Sequence, residues 1–124
     1  MKEWYSMIKF ICYERCGTCK KAEKYLKEHG IAYEKRLINE DNPTYEELKE
    51  WIPASNQPVN KWFNTSGTLY KTMGLKDKLK DMSEEEKLHL LASDGMLVKR
   101  PILIKNGHVL KGFKEEEWNE LFNR

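Results

Sequence analysis

Arginine is scarce in this chain. Of its 22 basic residues only Arg15, Arg36, Arg100 and Arg124 are arginine, and the rest are lysine. Planar guanidinium forks are the side chains best suited to gripping an oxyanion, so any such site here must rely on few of them. Net charge is equally slight: 22 basic against 20 acidic residues leave +2, too little to draw the chain to nucleic acid. No secretory signal or membrane-spanning run is present. Three cysteines in 124 residues fit a reducing cytoplasm rather than a disulfide-stapled secreted domain. There is no second cysteine pair, and His29, His89 and His108 stand apart. His29 lies ten residues beyond Cys19, about 15 Å along a helix, so a zinc site would lack half its ligands. No repeat, linker or low-complexity stretch divides the chain, whose length suits one domain. The polar start, Met1–Ser6, reads as a short extension without an assigned role.

What is present centres on Tyr13-Glu14-Arg15-Cys16-Gly17-Thr18-Cys19-Lys20-Lys21. An apolar run from Met7 to Cys12 precedes it. Ala22, Tyr25, Leu26 and His29 follow at the i, i+3, i+4, i+7 spacing of an amphipathic helix, and Gly30 stands where a left-handed cap is wanted. This predicts a strand, a turn and a helix, with Cys16 at the helix N-terminus and Cys19 one turn in. Free N–H groups and the helix dipole favour negative charge there, and a thiolate is the reactive form of cysteine. Arg15, Lys20 and Lys21 add positive charge. Cys16 therefore reads as the nucleophile and Cys19 as the resolving thiol. Of the three possible disulfides, Cys16–Cys19 needs the least backbone movement. Cys12 is expected to point into the core, away from the exposed turn, as a small buried hydrophobe. Cys12-x-x-x-Cys16-x-x-Cys19 also has the spacing of a radical-SAM cluster motif, but the chain is far shorter than the ~250-residue barrel scale.

Residues Ile31–Ile38 form a β-rich run directly after the helix, so a second strand parallel to the first is expected. Thr44 with Glu47 is a capping box opening a helix with Tyr45, Leu48, Trp51 and Ile52 on its apolar side, which Pro53 is expected to stop. From Ala54 to Gly95 no strand-like stretch occurs. Ser83 with Glu86 is a second capping box, leading a helix towards Gly95. Residues 44–95 thus read as a helical insertion. Two apolar runs flank Asn106-Gly107, a type I′ hairpin signal, and a last helix carries Trp118, Leu121 and Phe122 on one face.

The order β-α-β, helices, β-β-α, with Cys-x-x-Cys after the first strand and Pro101 opening the hairpin, resembles the thioredoxin fold. This implies an α/β protein with a mixed sheet. Cys16-Gly17-Thr18-Cys19-Lys20-Lys21-Ala22, Phe63-Asn64-Thr65-Ser66-Gly67, Val98-Lys99-Arg100-Pro101-Ile102 and Gly112-Phe113-Lys114-Glu115-Glu116-Glu117-Trp118 make it similar to one branch, the arsenate reductase-like (ArsC/Spx) family. The resemblance implies a single domain with a cis Pro101 facing the cysteine pair and Arg100 reaching the site. It implies a thiol-disulfide oxidoreductase with Cys16, Cys19 and Arg100 catalytic and Arg15, Gly17, Thr18 and Pro101 binding substrate. No bound cofactor is implied, only an external thiol reductant such as glutathione, glutaredoxin or thioredoxin. Arsenate reductases hold the oxyanion with three arginines. Arg100 matches one, while Thr65 or Ser66, and Gly112, stand near the other two, so arsenate itself is disfavoured as substrate. The alternative implied is an Spx-like redox sensor whose partner is RNA polymerase, without direct contact to nucleic acid or membrane.

Overall fold

The computed structural model describes residues 8–123. In chain order its elements are β1 (Lys9–Cys12), α1 (Gly17–Glu28), β2 (Glu34–Leu37), α2 (Tyr45–Ala54), α3 (Thr68–Thr72), α4 (Leu75–Lys78), α5 (Glu84–Ser93), β3 (Ile102–Lys105), β4 (His108–Lys111) and α6 (Glu115–Phe122). Short 3-10 turns occupy Val59–Trp62, Leu79–Asp81 and Gly95–Leu97. The expected strand start at Met7 and the extension Met1–Ser6 lie outside the described residues. The described residues fold as two compact units: one holds 8–37 and 100–123, the other Ile38–Lys99.

The first unit is a four-stranded mixed sheet in the order β2-β1-β3-β4, the thioredoxin-like arrangement expected from the sequence. β1 runs parallel to β2, with Phe10 opposite Lys35, and antiparallel to β3, with Phe10 opposite Leu103. Side chains alternate across a strand, so Ile8, Phe10 and Cys12 share one face. They pack with Ala22, Tyr25 and Leu26 of α1, Leu103 of β3, and Trp118 and Leu121 of α6. Aromatic rings lock the two helices together, with Tyr25 edge-on to Trp118 at 5.6 Å and its hydroxyl donating to Asn119 at 2.6 Å. Gly30 has φ of 64°, the left-handed cap expected. His29 does not join the buried face; it stacks on Tyr25 from outside, ring centroids 4.0 Å apart. Asn106 and Gly107 take φ of 48° and 83°, as a type I′ turn requires.

The second unit is helical. Both capping boxes form: Thr44 and Glu47 exchange bonds of 3.1 and 3.0 Å, and Ser83 and Glu86 of 3.1 and 2.7 Å. Pro53 does not stop α2. The helix runs on to Ala54, and Ser55 still donates to the Trp51 carbonyl at 3.0 Å. Pro53 is exposed in the last turn, where its missing N–H costs a single bond. α5 ends at Ser93, short of Gly95. Gly95 opens a 3-10 turn instead, and a Cβ there would come within 1.8 Å of the Ile38 carbonyl oxygen. Glycine is required at this point by close approach, not by a left-handed cap. Phe63 and Val98 form an isolated antiparallel bridge, flanked by bonds of 2.8 Å from Asn64 to Leu97 and from Lys99 to Trp62.

Candidate active site

β1 ends at Cys12, and Tyr13–Arg15 turn the chain into α1. Cys16 is the residue before the first helical turn, with extended φ and ψ of −88° and 123°. Its N–H donates to the Tyr13 carbonyl at 3.0 Å, and its carbonyl accepts the first helical bond from Lys20 at 3.1 Å. The Cys16 side chain makes no capping bond, and no acidic residue lies in the first turn. The N-terminal donors of α1 are thus left for an incoming group. Cys16 is half-buried, and Arg15, Gly17 and Thr18 around it are exposed. Nothing lies within 4 Å of where a Cβ on Gly17 would sit.

Cys12 and Cys19 lie in one buried cluster, with Cys16 packed against it. The Cys19 side chain interacts with those of both Cys12 and Cys16, most strongly with Cys12. The Tyr13 N–H also donates to the Cys19 sulfur at 3.3 Å. All three cysteines are free thiols. The bond to Cys12, reinforced by burial, pushes the Cys19 thiol up. The same bond holds Cys12 down, against its burial. Cys12 is buried as expected, at 1% exposure, but it does not stand apart from the pair. Cys19 is itself only 3% exposed and turns from the open helix end towards the sheet. The physical reason is periodicity. Cys19 shares the inward stripe of α1 with Ala22 and Leu26, and Cys12 shares the inward face of β1 with Ile8 and Phe10. That coincidence was legible in the spacing of the apolar residues.

Arg100, which precedes Pro101, reaches the same loop. Their peptide bond is cis, as the resemblance implied, and the Pro101 carbonyl accepts a 2.7 Å bond from Gly112. The Arg100 guanidinium lies over the ring of Tyr13, 5.0 Å from its centroid. Its Nε and Nη1 are buried and have no hydrogen-bond partner among the described residues. A buried guanidinium with idle donors is costly unless a ligand completes it. Tyr13 was not singled out from the sequence. It joins the parts: its carbonyl holds Cys16, its N–H meets Cys19, and its ring carries Arg100.

A polar cluster ties α1 and its preceding turn to β2. Tyr33 donates to Glu23 at 2.6 Å, and Lys35 lies 3.2 Å from Glu23 and 3.6 Å from Glu14. Burial works against ionisation of Glu23, but the bonds from Tyr33 and Lys35 hold its carboxyl below the usual range. Tyr33 is pushed up to about 12 by burial and by Glu23. Among the described residues no group of three or more His, Cys, Asp or Glu side chains is placed to hold a metal ion, and no helix is long and apolar enough to cross a membrane.

Residues 12–121 match the ArsC family. The chain is 48% identical over 113 residues to the uncharacterized protein YusI of Bacillus subtilis, covering 91% of this chain and 96% of that one. It is 25% identical over 109 residues to the global transcriptional regulator Spx 2 of Bacillus cereus, covering 88% and 82%. The crystal structure of an ArsC family related protein from Bacteroides fragilis superposes with a TM-score of 0.91 at 53% identity, covering 94% of this chain and 98% of that one.

Proposed function

The chain belongs to the ArsC family, and on that premise we propose that it is a thiol-disulfide oxidoreductase in which Cys16 attacks and Cys19 resolves. The observation that carries this reading is the half-buried Cys16 at the N-terminus of α1, with Cys19 one turn further on in the buried cluster that Cys16 packs against. The Cys16 thiolate attacks one sulfur of a substrate disulfide, and the other substrate sulfur leaves as a thiolate. Cys19, deprotonated, then attacks the Cys16 sulfur of the mixed disulfide. The second substrate thiolate leaves, and a Cys16–Cys19 disulfide remains. An external thiol reductant, of the glutathione, glutaredoxin or thioredoxin kind, returns the pair to thiols. The Tyr13 N–H favours negative charge on Cys19 as it attacks. Arg100, Arg15, Gly17, Thr18 and Pro101 surround the entering group, with the unpartnered donors of Arg100 suited to an anionic substrate. Arsenate itself is a poor candidate, because Arg100 alone answers to the three arginines of arsenate reductases.

Reduction of a glutathione mixed disulfide, coupled to NADPH through each reductant system in turn, tests the reading. Turnover that vanishes in Cys16→Ser supports it, and no turnover with any system counts against it. A second reading follows from the nearly full-length similarity to Spx 2. In it the same pair is a sensor whose output is binding to RNA polymerase in a cytoplasmic setting. Pull-down of polymerase that depends on the redox state, without turnover, would favour the sensor.

A further inference from the structure

We propose that Cys12 is a third redox residue of this site. In this account the Cys16–Cys19 disulfide passes by internal exchange to Cys12–Cys19, which frees Cys16. The inference rests on the reading above, since it begins from the disulfide that reading produces.

Three observations carry it. Cys12 and Cys19 lie in one buried cluster with Cys16 packed against it, and Cys19, the sulfur common to both bridges, is the thiol that interacts with each of the other two. Second, Cys12 and Cys19 both lie in the packed face between β1 and α1, at 1% and 3% exposure. A bridge between them needs no turn of Cys19 towards solvent. Third, the sulfur released is at the N-terminus of α1, where free N–H groups and the helix dipole favour negative charge.

The exchange balances without any outside reagent. The Cys12 thiol loses its proton and attacks the Cys19 sulfur. The Cys12–Cys19 bond forms as the Cys16–Cys19 bond breaks, and the electron pair leaves on Cys16. The proton lost by Cys12 is matched by one gained at Cys16 or shed to solvent according to pH. One disulfide and one free cysteine are present before and after. The outcome is a protein that stores its oxidising equivalent in the core and presents Cys16 again at the surface, able to attack a second disulfide while still oxidised.

The test is a time course on the full-length protein. Reduced protein is given less than one equivalent of diamide, samples are quenched in acid at intervals, free thiols are alkylated under denaturing conditions, and disulfide-linked peptides are mapped. The expected result is Cys16–Cys19 first. It then declines as Cys12–Cys19 rises one for one, with alkylated Cys16 recovering in step. In Cys12→Ala the Cys16–Cys19 peptide should persist unchanged. A wild-type Cys16–Cys19 bridge that forms and stays, with Cys12 fully alkylated throughout, overturns the exchange and leaves the oxidoreductase reading standing. Failure of Cys16–Cys19 to form at any time overturns both. The wild-type time course decides the matter even if the variant does not fold.

Discussion

Tyr13 donates its backbone N–H to the Cys19 sulfur at 3.3 Å. The same residue accepts the N–H of Cys16 on its carbonyl at 3.0 Å and carries the Arg100 guanidinium on its ring. One residue at the end of β1 therefore sets the helix entry, the resolving sulfur and the charged side chain together. Chemistry at this site is coupled to the turn between β1 and α1, and its parts can be tested separately.

Burial orders the thiols by access. Cys16 is half-buried, while Cys12 and Cys19 are at 1% and 3% exposure. Iodoacetamide added to the native, reduced protein is expected to label Cys16 first, with the other two following only on local opening. Peptide mapping of a short alkylation series checks this. Labelling of Cys19 ahead of Cys16 would reverse the assigned roles.

Arg100 should act on binding and not on folding. Its Nε and Nη1 have no partner among the described residues, and a buried unpaired donor costs about 1–3 kcal/mol. Arg100→Met should leave the denaturant midpoint unchanged or raised. It should weaken an anionic substrate by roughly 10- to 100-fold, the equivalent of a charged hydrogen bond worth about 1.5–3 kcal/mol. Chemical denaturation and KM for the glutathione mixed disulfide measure the two effects.

Glu23 should contribute an acid-sensitive increment of stability. Bonds from Tyr33 and Lys35 hold its carboxyl low despite burial. A group held low when folded stabilises above its unfolded range and loses that contribution as pH falls through the folded value. Glu23→Gln should therefore cost about 1 kcal/mol near neutral pH, and the difference from wild type should shrink below the ordinary carboxylate range. Urea titrations at neutral and acid pH give the comparison. A constant difference would place the effect in packing.

The two glycines named above should respond oppositely. A Cβ on Gly95 would sit 1.8 Å from the Ile38 carbonyl oxygen, so Gly95→Ala should destabilise by roughly 1–3 kcal/mol or more, as overpacking does. Gly17, in the first turn of α1 with open space around it, should tolerate alanine and gain up to about 1 kcal/mol of helix propensity. Thermal denaturation of both variants tests the pair.

Much of this was legible in the sequence because local rules acted alone. The capping boxes at Thr44 and Ser83, the Asn106-Gly107 turn and the left-handed Gly30 each depend on residues a few positions apart. Pro53 and Gly95 were misread because their outcome depends on context. One lies so near the helix end that a single bond is lost, and the other meets a carbonyl more than fifty residues away in sequence. At the site, Cys16 before the helix followed from the strand-turn-helix pattern. The pairing of Cys12 with Cys19 required the β1 and α1 patterns to be read against each other. The role of Tyr13 lies mostly in its backbone, which no side-chain motif reports.

The most direct test of the central claim is where a mixed disulfide comes to rest. Reduced wild type, Cys16→Ser and Cys19→Ser proteins are incubated with oxidised glutathione and followed by intact mass and peptide mapping. Wild type should pass through a glutathione adduct to an internal disulfide. Cys19→Ser should hold the adduct on Cys16, and Cys16→Ser should take up none at the same rate. An adduct that settles on Cys12 or Cys19 in wild type, or that leaves Cys19→Ser as readily as wild type, would contradict the account.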